Sequence, residues 1–162
     1  MKTAIYPGTF DPMTYGHIDV VKKCLKIFDK VIVATTDNIN KDYFFSTDER
    51  LSIIKSSLFK DLNLSKKKIK VISFDTLTIN LCKKYNASVI VRGLRAVSDF
   101  EYEFQLAGMN KKLNSKIETI FLMSDIENQI ISSKFVKEIA KLKGNINKFV
   151  TKSTVKRIKD KF

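Results

Sequence analysis

Five short apolar runs alternate with segments of helical periodicity, and this alternation limits the folds open to the chain. The runs cover residues 3–6, 31–35, 70–74, 88–91 and 119–123. They lack the strict apolar/polar alternation of a half-exposed strand, so they indicate strands buried on both faces, as in parallel sheets. Parallel strands separated by helices need right-handed crossover connections. We therefore predict a doubly wound α/β fold, with a mainly parallel five-stranded sheet and helices on both faces.

Several residues indicate where helices begin and end. Ser46 and Glu49 have the spacing of a capping box, as do Ser98 and Glu101. Gly144 is expected to close a helix over residues 132–142. A lysine-rich helix is expected at about residues 151–161. No linker or repeat divides the sequence, so residues 1–162 are expected to form one domain.

Composition excludes several classes of protein. The longest apolar runs are far shorter than the roughly 20 residues of a membrane span. Pro7 and Gly8 end the first apolar run at once, so no signal-peptide core is expected. Cys24 and Cys82 lack metal-ligand spacing and are expected to be free, buried thiols. These features predict a soluble cytoplasmic protein without a membrane partner.

The net charge of +13 raises the alternative of a nucleic-acid-binding module. Arginine, the residue best suited to bidentate phosphate and base contacts, occurs only four times among the 30 basic residues. The lysine-rich segments after residue 134 lack interleaved aromatics and any helix-turn-helix, RRM or zinc pattern. The lysine excess therefore favours solvated surface charge, and no specific nucleic-acid partner is expected.

Candidate chemistry begins after the first predicted strand, in residues 6–17. This segment contains neither the G-x-G-x-x-G dinucleotide fingerprint nor a P-loop. Thr9 offers a hydroxyl at a strand end, and Gly16 permits close approach to a helix N-terminus, which favours phosphate. His17, the only histidine, then lies in the first helical turn. A purely structural role for His17 remains the alternative.

A second group follows the fourth predicted strand. Arg92 and Arg95 flank Gly93 and Leu94, which suggests planar phosphate recognition. The alternative is that these arginines bridge nearby carboxylates, namely Asp99, Glu101 and Glu103. Lys41, after the second strand, could reach in as a mobile cation or remain a solvated lysine. After the fifth strand, Ser132 and Ser133 could cap a helix or border a triphosphate.

These motifs carry a family resemblance. Tyr6-Pro7-Gly8-Thr9-Phe10-Asp11-Pro12 with Thr14-x-Gly16-His17 resembles the T/H-x-G-H nucleotidyltransferase superfamily. Arg92-Gly93-Leu94-Arg95, the segment Asp99-Phe100-Glu101-Tyr102-Glu103 and Ile131-Ser132-Ser133 resemble the bacterial phosphopantetheine adenylyltransferase family within it. The resemblance covers about residues 3–150. It implies a Rossmann-like nucleotidyltransferase fold and adenylyl transfer from ATP to 4′-phosphopantetheine, giving dephospho-coenzyme A and pyrophosphate.

The resemblance also implies roles for individual residues. His17 would stabilise the transition state, and Lys41 and Arg92 would act at the acceptor phosphate. The acceptor substrate would contact Thr9, Lys41, Thr78 and Arg92. ATP would contact Thr9, Phe10, His17, Gly93, Leu94, Arg95, Glu103, Asn128, Gln129, Ile130, Ile131, Ser132, Ser133 and Lys134. The chain departs from the family pattern at residues 128–130, Lys134 and Thr78.

These residue types suit the reaction. The attacking phosphate oxygen is already ionised, so positioning and charge stabilisation suffice without a general base. Mg²⁺ is expected to bind mainly through ATP phosphates, and protein metal ligands are not expected. The family further implies a homohexamer and feedback binding of coenzyme A. The alternative is another T-x-G-H nucleotidyltransferase of the superfamily, such as one acting on nicotinate mononucleotide or, with CTP, on glycerol phosphate.

Overall fold

The fold is a five-stranded sheet in which every neighbouring pair of strands is parallel. A computed structural model describes residues 2–38, 41–95 and 97–162. The strands are β1 (Thr3–Gly8), β2 (Lys30–Thr36), β3 (Ile69–Phe74), β4 (Val89–Leu94) and β5 (Glu118–Met123). Their order across the sheet is β3-β2-β1-β4-β5. The predicted doubly wound α/β fold is confirmed.

Helices connect the strands and cover both faces. They are α1 (Tyr15–Ile27), α2 (Thr47–Lys55), α3 (Thr78–Lys84), α4 (Val97–Leu113), α5 (Ser133–Lys141) and α6 (Lys152–Lys159). A π-helical segment at Ser56–Asp61 extends α2, and a 3₁₀ turn at Ile126–Asn128 precedes α5. The lysine-rich terminal helix is confirmed with slightly narrower bounds than predicted. Within the described residues, none of the helices has the length and apolarity needed to cross a bilayer.

The core lies on both faces of the central strands, as continuous apolar strands require. On one face Ile5, Ile32 and Ile90 pack with residues of α3. On the other, Val31 and Val33 belong to a larger cluster that includes α1 and α6. Cys24 and Cys82 are free and buried, one in each cluster, which confirms their predicted state.

One predicted helix end is confirmed, and two others differ from the prediction in detail. Ser46 and Glu49 form the predicted capping box at the start of α2. At the end of α5, Gly144 closes the helix as predicted, but the left-handed conformation (φ 60°) falls on Lys143 and not on Gly144. Gly144 donates to Ile139 O at 2.8 Å, and a Cβ at position 144 would lie 2.6 Å from Ile139 Cγ2. Close approach rather than φ thus explains this glycine.

The second predicted capping box places a helix start at Ser98. The helix α4 already begins at Val97, so Ser98 lies inside the helix and the prediction that it is the N-cap residue is wrong. The Ser98 side chain lies outside the described part of the chain.

The strand order creates a crevice at one edge of the sheet. From β1 the chain moves outward through β2 and β3, then returns to the other side of β1 to form β4 and β5. The connections leaving β1 and β4 therefore diverge. Ligands of doubly wound proteins bind at this switch point, beyond the carboxyl ends of the strands.

Candidate active site

A cleft of about 420 Å³ lies at the carboxyl ends of β1 and β4. It brings together predicted site residues from five separate segments of the chain. These are Thr9, Phe10, His17, Lys41, Arg92, Gly93, Leu94, Arg95, Glu103, Ile131, Ser132, Ser133 and Lys134. The switch point and the sequence motifs therefore coincide.

The segment that leaves β1 turns sharply at Phe10, which has φ 49°. This left-handed conformation is uncommon for a residue with a side chain and often marks a functional site. Edge-to-face contacts with Tyr6 and His17, at centroid distances of 5.3 and 5.1 Å, hold the buried ring. Its Cζ atom would lie 2.8 Å from a Cβ at Gly8. Glycine at position 8 therefore lets the Phe10 ring fold back beneath the cleft.

His17 lies in the first turn of α1 and lines the cleft. Its Nδ1 atom accepts a hydrogen bond from the Thr14 N–H at 3.0 Å. Because Nδ1 is the acceptor, we assign the ring proton to Nε2. Burial, with the nearby positive charge of Arg95, lowers the pKa of His17 to about 4. His17 is therefore a neutral hydrogen-bond donor near pH 7, held in place by Thr14, the N-cap residue of its own helix.

Arg92 is fixed at the end of β4 by three hydrogen bonds. Its Nε and Nη2 atoms donate to the two carboxylate oxygens of Glu103 at 2.7 and 2.6 Å, and Nη1 donates to Pro7 O at 3.0 Å. Burial alone would lower the pKa of Arg92, but the bonds and charge of Glu103 outweigh it and raise the pKa. The carboxylate-bridging interpretation is thus confirmed for Arg92. These bonds use three of its five N–H donors, and Arg92 lines the cleft.

Arg95 forms a looser ion pair than Arg92. Its Nε atom lies 3.4 Å from an oxygen of Asp99, one helical turn along the chain. Both side chains are partly exposed, so solvent screens the pair and it contributes little stability. Glu101, the third carboxylate considered for such bridges, is exposed.

Two lysines of the cleft are available to bind anions. Lys41 follows β2, and its Nζ atom lies 3.4 Å from Thr9 Oγ1. Lys134 lies in the first turn of α5. Among the described residues, neither lysine has a carboxylate within ion-pair distance. Their charges are not neutralised by a fixed protein partner, so they make the cleft attractive to phosphates.

The start of α5 forms one wall of the cleft. Ser132 is the N-cap residue, and its Oγ accepts from the Phe135 N–H at 3.1 Å. Ser133 Oγ donates to Pro12 O at 2.7 Å, which ties the helix to the segment leaving β1. The capping interpretation of Ser132 is confirmed, and both serines also line the cleft. A helix N-terminus facing a cleft favours bound anions.

Four predicted contact residues do not line this cleft. Asn128 instead donates to Asp19 Oδ2 at 2.7 Å, and Gln129 donates to Ser124 O at 3.3 Å. Ile130 is 81% exposed. Thr78 begins α3, which follows β3 at the same edge of the sheet. Asn128 and Gln129 thus brace the turn that leads to Ile131, rather than entering the cleft themselves.

The sequence analysis missed a buried arginine beneath the cleft. Arg50 is fully buried in α2, and its guanidinium packs 3.9 Å from the centre of the Tyr43 ring. It donates to Phe45 O, Thr9 O, Thr36 O, Thr35 Oγ1 and Thr47 Oγ1. The only signal in the sequence was the rarity of arginine. Arg50 fixes the Thr9 carbonyl and so orients the residue that contacts Lys41.

The sequence analysis also missed Asp11 and Lys137, which line the cleft and form an ion pair at 3.2 Å. Lys137 lies four residues after Ser133, a spacing that places both on one helix face. That spacing could have identified Lys137. Asp11 had no signal beyond its place in the motif.

Comparisons with known proteins agree with the geometry. Residues 5–139 match the cytidylyltransferase-like family. A phosphopantetheine adenylyltransferase of Pelagibacter ubique is 68% identical over 99% of this chain and 98% of its own length. A phosphopantetheine adenylyltransferase of Zymomonas mobilis is 46% identical over 97% of this chain and 88% of its own length.

Solved structures support the fold alone, because their sequences are distant. A Plasmodium falciparum nicotinic acid mononucleotide adenylyltransferase complexed with APC has a TM-score of 0.72 at 19% identity, covering 98% of this chain and 94% of its own. A putative nicotinate-nucleotide adenylyltransferase from Vibrio parahaemolyticus has a TM-score of 0.70 at 19% identity, covering 98% and 99%. The family model, the close relatives and the cleft residues lead to one assignment. The chain belongs to the cytidylyltransferase-like family and, within it, to the phosphopantetheine adenylyltransferases.

Proposed function

We propose that this chain transfers the adenylyl group of ATP to 4′-phosphopantetheine, giving dephospho-coenzyme A and pyrophosphate. The observation that carries the proposal is the placement of the family motif residues around one cation-lined cleft. The relatives that share 68% and 46% of its residues are named for this activity. We further propose that residues 1–162 act as one nucleotidyltransferase domain.

The proposed reaction is a direct displacement at the α-phosphorus of ATP. A phosphate oxygen of phosphopantetheine forms the new O–P bond, and the bond from the α-phosphorus to the bridging oxygen of pyrophosphate breaks. Both reactants are anions, so the protein must align them and stabilise the negative charge that develops. No proton has to be removed from the attacking oxygen, and a general base is not needed.

The acceptor phosphate would bind between β1, β2 and β4. Lys41 Nζ already lies 3.4 Å from Thr9 Oγ1. The two remaining N–H groups of Arg92 would complete a set of donors that follow β1, β2 and β4. Glu103 would act by holding Arg92 as well as by bordering ATP. The pantetheine arm would then extend along the sheet edge towards Thr78 at the start of α3.

The triphosphate would lie against the other wall of the cleft. The N-terminus of α5, with Ser132, Ser133 and Lys134, would bind the phosphates, and Arg95 would add a mobile charge. His17 would donate from Nε2 to the α-phosphate or to the leaving pyrophosphate. A neutral donor stabilises developing charge without losing its own proton. Asn128, Gln129 and Ile130 remain candidates for contacts with the adenosine.

Mg²⁺ fits this cleft as an ion carried by the nucleotide. Of the four carboxylates that line the cleft, those of Asp11, Asp99 and Glu103 are each within ion-pair distance of a cationic side chain, and Asp42 is exposed. Within the described residues, no group of three or more His, Cys, Asp or Glu side chains is arranged to hold a metal. We propose that Mg²⁺ binds through phosphate oxygens and water and neutralises charge on the triphosphate.

We also propose that the chain acts as a homohexamer. In the described part of α4, Phe100, Tyr102, Phe104, Met109 and Leu113 are exposed apolar side chains. Phe100 and Phe104 lie on one side of the helix, and Tyr102, Met109 and Leu113 lie on the other. Large exposed apolar groups on a helix are typical of a protein interface. We expect the protein to act in the cytoplasm, where ATP is available, and coenzyme A to bind the same cleft as a feedback inhibitor.

Pyrophosphate release by the purified chain tests the proposed activity. The assay contains ATP and Mg²⁺ with 4′-phosphopantetheine, with nicotinate mononucleotide, or with no acceptor. We expect release only with phosphopantetheine, together with a product of the mass of dephospho-coenzyme A. Release only with nicotinate mononucleotide would keep the reaction class but change the substrate. Release with neither acceptor would contradict the proposal.

A further inference from the structure

The Asp11 carboxylate joins three segments of the chain at the edge of the cleft. Its Oδ1 atom accepts from the Phe45 N–H at 2.9 Å, and its Oδ2 atom accepts from the Phe44 N–H at 2.8 Å. Lys137 Nζ donates to Oδ2 at 3.2 Å. Asp11 is only 4% exposed, so this carboxylate exchanges its hydration for three protein donors.

Phe44 and Phe45 end the loop that carries Lys41. The side of the loop away from Asp11 is held by Arg50, which donates to Phe45 O at 3.2 Å and packs on Tyr43. The loop end is therefore fixed between a carboxylate and a guanidinium. Lys41 lies three residues before Phe44. The bonds at Phe44 and Phe45 therefore limit where Lys41 can place its Nζ atom relative to Thr9.

Lys137 connects the same carboxylate to the nucleotide wall. It lies one turn beyond Ser133 in α5, and Ser133 bonds Pro12 O at 2.7 Å. Two successive turns of α5 therefore contact Asp11 and its neighbour Pro12. Lys137 also supplies the positive charge that a buried carboxylate requires.

We propose that Asp11 is a positioning residue for adenylyl transfer. Its carboxylate, with Lys137 as the counter-ion, holds the Lys41 loop in register with α5 and so sets the acceptor phosphate site against the nucleotide site. This inference rests on the proposed function. It assigns the Asp11–Lys137 pair a role in the geometry of the acceptor site, with no contact to either substrate.

Steady-state kinetics and calorimetric binding of each substrate to the full-length protein test this inference. Lys137→Met removes the counter-ion, and Lys137→Arg keeps its charge. Asp11→Asn keeps one acceptor oxygen but loses the charge and the second acceptor. Lys156→Met, at an exposed lysine of α6, is the matched control.

We expect Lys137→Met to raise KM and the dissociation constant for phosphopantetheine by about 10-fold, as for loss of one charge-assisted hydrogen bond. The corresponding constants for ATP should change by less than about 2-fold, because α5 itself stays folded. Lys137→Arg should restore the phosphopantetheine constants, and Asp11→Asn should show the same selectivity with a larger effect. Lys156→Met should match the wild type.

Three results would overturn the inference: an equal loss for both substrates, a loss for ATP alone, or wild-type constants in Lys137→Met. If Asp11→Asn does not fold, the two Lys137 variants still decide the question. Failure of the proposed function is a separate result, because the wild type would then form no dephospho-coenzyme A. Calorimetric binding of phosphopantetheine still reports the acceptor site in that case.

Discussion

The cleft and the helix α4 differ in whether their side chains have matching partners within the chain. Arg50 beneath the cleft and Asp11 in the cleft wall are buried charges, and each is held by hydrogen bonds to several segments of the chain. On α4, Glu103 is the only buried side chain among those described, while large apolar groups such as Phe104 face solvent. In the proposed assembly, another copy of the chain covers the exposed apolar groups of α4.

This contrast separates the requirements of chemistry from those of assembly. Charge stabilisation needs groups held before the substrate arrives, because reorganisation during the reaction would raise the barrier. The buried networks supply that rigidity. An apolar face needs only area and shape to bind a copy of itself, so it can stay uncovered until protomers meet.

The largest expected effect is the loss of folding stability when the buried Arg50 beneath the cleft is replaced. Arg50→Met should lower the free energy of unfolding by about 3 kcal/mol or more, because several buried acceptors lose their donor. Urea unfolding followed by circular dichroism measures the change. Arg157→Met is the matched control, since Arg157 is exposed and contacts Ser52 Oγ at 3.2 Å. Equal destabilisation by the two variants would remove the distinction between floor and surface.

Next in size is the loss of turnover when the His17 N–H donor at the reacting phosphates is removed. His17→Ala should lower kcat by about 10² to 10³-fold, the range for loss of one charge-stabilising donor. ATP binding should change by only a few-fold, because α5, Lys134 and Arg95 remain. Rapid-mixing kinetics and calorimetry separate the two quantities. Normal turnover in a folded His17→Ala variant would exclude the assigned role.

Charged substitutions on α4 should reduce the size of the proposed assembly. Phe104→Lys with Met109→Lys should lower the oligomer size in sedimentation velocity, because lysines at a buried interface lack partners. The unfolding free energy of the isolated protomer should change by less than about 1 kcal/mol, since both residues are exposed. Leu142→Lys, at an exposed leucine at the end of α5, is the control. An unchanged assembly would place the interface elsewhere.

A separate expected effect is the pH dependence that His17 adds to stability. Its folded pKa of about 4 lies below the ordinary 6.5, so the unfolded chain binds more protons between these values. The contribution of His17 should therefore be present above pH 6.5 and decrease as the pH falls towards 4. The difference in unfolding free energy between the wild type and His17→Gln isolates it. A contribution that grows on acidification would contradict the neutral, donor-only assignment.

The sequence predicted the architecture because its signals are local and repeated. Continuous apolar strands, helical periodicity and the Ser46 capping box each depend on a few neighbouring residues. The same holds for the cleft, since residues directly after parallel strands must meet at one edge of the sheet. The family resemblance added the expected roles of the residues that meet there.

Contacts between distant segments escaped the sequence analysis. Arg50 bonds residues of three other segments, and Asp11 pairs with a lysine 126 positions away. No periodicity encodes such pairs. The sequence also could not decide between anion recognition and carboxylate bridging for Arg92. The Glu103 pair establishes the bridging and leaves N–H donors of the same guanidinium for the proposed anion contact.

The pH dependence of kcat/KM for phosphopantetheine tests the central claim, that placed charge and not proton transfer drives the reaction. The account predicts a rise as the acceptor phosphate ionises near its second pKa of about 6, then a plateau to about pH 9. His17 is neutral throughout this range, so His17→Ala should lower the plateau without changing the profile. A further rise between about pH 7 and 9 that disappears in His17→Ala would show His17 acting as a general base and would contradict the account.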